Sequence, residues 1–191
     1  MKPLILVGKI DDGFAGQFYD WLDENLYRRD GYAQLGISSP GGDVGLMIGI
    51  YDQIILRDIP TVAMGIVQSA SAVLFLAGHK RYMYPNSMLM FHEPERPTGS
   101  ADMTDPDWYL HTKMVAMIVQ RTGMDLIEAH DLFDGKFITA ERALQLGLCD
   151  EILNLGGQDG TVDRIPESEG PDLGDRGSSV TDESGGTKQG D

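Results

Sequence analysis

Short runs of aliphatic and aromatic residues alternate with stretches of helical periodicity from Leu4 onward, and this alternation restricts the possible folds more than any other feature. The strand-like runs, at residues 4–7, 32–37, 59–64, 81–84 and 88–91, have the length and the β-branched or aromatic content of buried strands. Helical periodicity fills 14–27, 44–55 and 69–77 between them, and two further stretches, 107–122 and 125–133, are separated by Gly123. Thr139 is placed to cap a last helix over 139–144. Strands alternating with helices predict a parallel sheet joined by crossover helices, and no internal repeat is visible.

The pattern stops near Leu155. Residues 155–191 hold nine glycines, nine acidic and three basic residues and no Phe, Trp or Tyr. Such a segment lacks the apolar surface that offsets the entropy of ordering, so one folded domain over 1–154 and a disordered acidic tail over 155–191 are expected. The tail carries −6 of the net charge of −15, leaving −9 on the domain. A phosphate backbone would be repelled by most of this surface, which excludes a nucleic-acid partner. The single cysteine, Cys149, cannot form an internal disulfide, and the chain is expected in the reducing cytoplasm. The apolar run at 4–8 is too short for a signal peptide, and the longest, 70–78, falls well short of the roughly 20 residues that span a bilayer. His79, His92, His111 and His130 show no metal-ligand spacing, so no metal and no cofactor are expected.

Three segments carry the residue types of nucleophilic catalysis. Ser38-Ser39-Pro40-Gly41-Gly42-Asp43-Val44 lies between a predicted strand and a predicted helix. Its paired glycines free the backbone to aim amides outward, although strand-to-helix turns use glycine for the same freedom. It lacks the Gly-Lys-Ser/Thr ending of a phosphate loop. Gly65-Ile66-Val67-Gln68-Ser69-Ala70-Ser71-Ala72 brings a serine to the start of an apolar helix, where a hydroxyl can face a cleft beside a free amide. Read alone, either serine serves: Ser69 caps and Ser71 projects, or the reverse. Pro85-Asn86-Ser87 leads into Met90-Phe91-His92-Glu93-Pro94, and His92 stands at a strand end, where catalytic groups leave parallel sheets.

In this order the segments resemble the ClpP family of serine peptidases over most of residues 4–154. The first is similar to the family's S-P-G-G-x-V loop, the second to its nucleophile segment and the third to its histidine strand. Phe137-Ile138-Thr139-Ala140-Glu141, with Ala143, Gly147-Leu148 and Asp150-Glu151-Ile152, resembles its closing element. The resemblance implies a crotonase-like α/β spiral with a handle helix over 107–122. It implies a homo-oligomer, a heptameric ring or stacked rings, acting on protein or peptide substrates as a serine endopeptidase. It makes Ser69 the nucleophile, His92 the general base, and the amides of Gly42 and Ala70 the oxyanion hole, with Ser71 the lesser candidate.

The chain departs from that pattern at three places. The family's triad aspartate would fall on Gly135, so Asp134, one residue earlier, is expected to take its role, with Asp131 as the alternative. No segment before Leu4 matches the family's pore gate, which counts against an ATP-driven unfoldase as partner. The glycine-rich stretch after the histidine is replaced by Glu95-Arg96-Pro97-Thr98-Gly99-Ser100. Two rival readings stand beside the peptidase: a catalytically silent ring subunit, to which Gly135 points, and a crotonase-type acyl-CoA enzyme. Chains related to phage-encoded capsid-processing peptidases fit the same pattern by analogy.

Overall fold

In the computed structural model, residues 3–25, 34–93 and 106–154 are described. The predicted tail at 155–191, the divergent 95–100, and the helix and strand ends at 26–27 and 32–33 lie outside them. The chain runs β1 (Leu4–Val7), α1 (Asp12–Asn25), β2 (Leu35–Ser39), α2 (Val44–Leu56), β3 (Thr61–Gln68), α3 (Ala70–Phe75), β4 (Arg81–Met83) and β5 (Met88–His92). It continues through α4 (Pro106–Thr122), α5 (Leu126–Asp131), β6 (Asp134–Thr139), α6 (Ala140–Gln145) and β7 (Glu151–Ile152). The strands form one sheet, β1-β2-β3-β4-β7, with β5 and β6 branching from β3.

The branch arises within β3. Its first half, Thr61 to Ala63, pairs in parallel with β4, while Ile66 to Gln68 pairs in parallel with β5. Gly65 sits between the halves at φ +65°, a conformation that favours glycine, and lets the strand change direction. This explains why the strand runs past the 59–64 predicted for it: Gly65 reads as a stop but acts as a bend. The expected all-parallel sheet is also corrected, because β5 and β6 are antiparallel, with His92 opposite Asp134. Strand β6 carried no apolar alternation to reveal it, since Ile138 is its one buried residue.

Helix α2 buries Met47, Ile50, Tyr51 and Ile54, the i, i+3, i+4, i+7 stripe of a helix with one face on the core. Helix α1 buries Phe14, Phe18, Trp21 and Leu22 in the same manner. Fully enclosed side chains such as Phe18 and Ile50 each contribute about 1.5–3 kcal/mol of burial free energy. All six residues of α3 are buried, so this short helix is held on every side. Thr61 Oγ1 donates to Phe75 O at 2.7 Å, and Arg121 from the end of α4 donates to Leu76 O at 2.9 Å and Gly78 O at 2.7 Å. The carbonyls at and just beyond the C-terminal end of α3 therefore have fixed partners.

Arg81 clamps the closing element: its Nη2 lies 2.6 Å from Asp150 Oδ1 and its Nε 3.1 Å from Asp150 Oδ2. Burial works to raise the Asp150 carboxyl, but the hydrogen bonds from Arg81 outweigh it and hold the group below the usual carboxylate range. Thr139 caps α6 as expected, accepting from Arg142 N at 3.3 Å. Among the described residues, no helix is long and apolar enough to cross a membrane.

Candidate active site

The Gly-Gly loop follows β2 and is held by backbone bonds to a neighbouring segment. Ile10 N donates to Gly41 O at 2.8 Å, and Asp43 N donates to Ile10 O at 2.9 Å, so the peptide of Gly42 is fixed from both sides. Asp43 caps α2 by accepting from Leu46 N at 2.8 Å. Both glycines are required by space as well as by conformation. At Gly41, φ +93°, a Cβ would stand 2.7 Å from Ser69 Cβ and 2.8 Å from Gln68 O; at Gly42, φ +148°, it would stand 2.3 Å from Ile10 O. The amide of Gly41 is used internally, donating to Ser39 Oγ at 3.1 Å. The amides of Gly42 and Ala70 donate to no acceptor among the described residues.

Ser69 occupies the turn between β3 and α3 at φ 56°, ψ −131°. A non-glycine residue in this region costs on the order of 1–3 kcal/mol, and such strain persists only where the surroundings impose it. Here they do: Ser69 N donates to Met90 O on β5 at 2.7 Å, and Ser69 O accepts from Ala72 N at 3.0 Å. The Ser69 side chain makes no capping bond, so the hydroxyl is not spent on the helix that follows it. Ser71 has the opposite character. It is fully buried, its Oγ lies 2.7 Å from Ser39 O and 2.6 Å from Gln68 O, and it accepts from Gln68 N at 3.0 Å. It joins the Gly-Gly loop to the serine turn, which removes it as the projecting hydroxyl.

His92 ends β5, half-buried, two residues beyond the Met90 carbonyl that receives the Ser69 amide. Serine and histidine thus leave the ends of adjacent parallel strands. Among the described residues no hydrogen bond joins Ser69 Oγ to His92; catalytic hydrogen bonds of this kind often form fully only in the complex with substrate. Behind His92, Phe91 packs on Phe133 at 5.7 Å between ring centroids, and Phe133 packs edge-on against the buried His111 at 4.6 Å. His111 is thereby part of the packing of α4 and α5 rather than of the site, and His79 is exposed at a turn.

Asp134 and Asp131, the carboxylates expected to serve His92, differ in their placement. Asp134 faces His92 in the β5–β6 register, yet its carboxylate is engaged by Lys136. Oδ1 accepts from Lys136 N at 2.9 Å, and Oδ2 is paired with Lys136 Nζ. The Lys136 hydrogen bonds hold the Asp134 carboxyl below the usual range. Asp131 is exposed at the end of α5. The atom that does meet the His92 ring is Glu93 O, 2.7 Å from Nδ1. Residue-by-residue reading overlooked it because main-chain acceptors carry no residue signature; the one cue was the proline that follows, which restricts Glu93.

An open depression of about 540 Å³ is lined by Lys9, Ile10, Asp11, Asp12, Gly42, Asp43 and Leu46, and Ser69, Ala70 and His92 are not among its lining residues. Cys149 supplies no rival nucleophile: it is buried, and burial, helped by the neighbouring Asp150, pushes its thiol up to about 11. What the arrangement can do chemically is present a strained serine hydroxyl beside two amides, none of them with a hydrogen-bond partner among the described residues, at the end of a strand adjacent to an imidazole. A family model described as Clp protease matches residues 4–155, a stretch that opens with β1 and runs past β7, and the chain therefore belongs to the Clp protease family.

Proposed function

We propose that this member of a serine-peptidase family is a serine endopeptidase that works through an acyl-enzyme, with Ser69 as nucleophile, His92 as general base, and Gly42 and Ala70 as the oxyanion hole. The observation that carries the reading is the serine turn itself: Ser69 at positive φ, against Gly41, with the Gly42 and Ala70 amides unpaired. Backbone strain at a residue with a nucleophilic side chain, next to preset donors, is the arrangement that acyl transfer uses.

In the first half-reaction, His92 Nε2 takes the Ser69 proton as Oγ adds to the scissile carbonyl carbon. The resulting oxyanion accepts hydrogen bonds from the two amides. His92 then delivers that proton to the departing amine, the C–N bond breaks, and an ester on Ser69 remains. Water repeats the cycle: His92 takes its proton, the hydroxide adds to the ester, and collapse returns the proton to Ser69 and releases the carboxylic acid. Loss of one oxyanion donor in such sites slows the reaction about 10²–10³-fold, so the amides are a large part of the rate.

The chain is proposed to act as a homo-oligomeric ring in the cytoplasm, with α4 as the handle helix. The support is that α4 buries Val115 and Ile118 while leaving Tyr109 70% exposed, so it presents an apolar group outward. Light scattering on residues 1–154 tests the assembly, and a monomer at micromolar concentration would reject it.

Hydrolysis of an unstructured fluorogenic polypeptide tests the activity. Wild-type protein cleaves it and Ser69→Ala does not, while both keep the same oligomeric state. The silent-subunit reading has one observation in its favour, the engagement of Asp134 by Lys136; it requires that wild-type protein also fail to cleave.

A further inference from the structure

We propose that the acceptor that sets the tautomer of His92 is the main-chain carbonyl of Glu93, and that no carboxylate completes the catalytic group. The inference rests on the reading of His92 as the base. Glu93 O lies 2.7 Å from His92 Nδ1. A carbonyl oxygen can only accept, so Nδ1 must carry the hydrogen in this contact, and Nε2 is left with its lone pair as the basic atom. That is the task a triad carboxylate performs, here done without a charge.

The carboxylate that could compete has Lys136 as its partner at an exposed site. Both Asp134 oxygens have Lys136 donors, one from the backbone and one from the ammonium. The next residue, Gly135, stands where the resemblance would put the family's acid, and it has no side chain to offer. The sequence also constrains the proposed acceptor: Glu93 precedes Pro94, and a residue before proline is confined to extended conformations. That confinement narrows the directions in which the Glu93 carbonyl can point.

A neutral acceptor orients imidazole but does little to stabilise imidazolium, since charge-assisted hydrogen bonds are roughly twice as strong as neutral ones. Glu93 is therefore a positioning residue, and the consequences differ from those of a triad acid. Asp134→Asn preserves the side-chain oxygen that accepts from Lys136 N and should fold. It is expected to retain kcat/KM within about threefold of wild type, with the acid limb of the pH profile unmoved. If Asp134 were the triad acid, the same change would lower kcat by about 10⁴-fold, by analogy with serine-protease triads.

Nitrogen-15 NMR of the histidine rings gives a readout independent of turnover. The Nδ1–H tautomer of neutral His92 should persist in Asp134→Asn and lose population in Pro94→Ala, which frees Glu93 and should lower kcat several-fold with KM unchanged. An Asp134→Asn protein that loses activity by 10³-fold or more, or whose His92 shifts to the Nε2–H tautomer, overturns the proposal. A wild-type protein that never hydrolyses peptide refutes the peptidase reading instead, and the tautomer measurement still decides the role of Glu93.

Discussion

Gly41→Ala is the substitution whose effect the geometry determines most fully. The added Cβ would stand 2.7 Å from Ser69 Cβ, 2.8 Å from Gln68 O and 3.2 Å from Ala70 N, and none of these belongs to a flexible side-chain end that could swing away. At φ +93° the alanine also sits where a Cβ crowds its own carbonyl, costing about 1–2 kcal/mol. Relief of the overlap adds about 1–3 kcal/mol of packing strain. Together these predict a loss of about 2–5 kcal/mol, or roughly 4–20 °C in Tm for a chain of this size. The displaced atoms are those of the serine turn and its amide. A misplacement near 1 Å in a catalytic group costs about 10²-fold, and loss of an oxyanion donor costs about 10²–10³-fold. Peptidase activity should therefore fall by at least about 10²-fold even at temperatures where the variant stays folded. The assay pairs thermal melts with kcat/KM, using Gly16→Ala as control, since no atom lies within 4 Å of a Cβ there and alanine favours the helix. A Gly41→Ala protein with wild-type kcat/KM would refute the reasoning that a Cβ at position 41 displaces Ser69 and the Ala70 amide.

Ser71→Ala removes the oxygen that accepts from Gln68 N and the one hydroxyl proton shared between Ser39 O and Gln68 O, and should lower stability by about 1–3 kcal/mol in denaturant titrations. Because it disturbs the brace and not the nucleophile, activity should fall without vanishing, in contrast to Ser69→Ala. Asp150→Asn should destabilise the chain at neutral pH, where the carboxylate held by Arg81 is charged. The Asp150 carboxyl is lowered on folding, so its contribution is present above its ordinary value of 3.8 and is lost as pH falls through the lower folded value. The gap between wild-type and variant stability, measured by chemical denaturation at several pH values, should therefore close as the solution is acidified.

What the chain revealed in advance follows from where the signal is local. Helix α2 was legible because Met47, Ile50, Tyr51 and Ile54 repeat on one face. Strand β6 was not, because its hydrogen bonds to β5 form without a buried face, and Asp134-Gly135 reads as a turn. Gly65 reads as the end of a strand, since only the fold tells a bend from a stop. Ser69 and Ser71 were interchangeable as residue types, and it took the positive φ of one and the burial of the other to separate them. For Asp134, the sequence offered a carboxylate for the catalytic group; its position opposite His92 and its pairing with Lys136 are visible only in the structure. Competition between hydrogen-bond partners is decided by geometry in three dimensions, and spacing along the chain does not contain it.

Acyl transfer by this chain requires an activated serine at one position. Incubation of the intact protein with a fluorophosphonate probe, followed by mass spectrometry of its peptides, measures that property without knowledge of the substrate. One adduct per chain on Ser69 is predicted, absent in Ser69→Ala and retained in Asp134→Asn. A wild-type protein that takes up no probe, or takes it up on Ser71, contradicts the account.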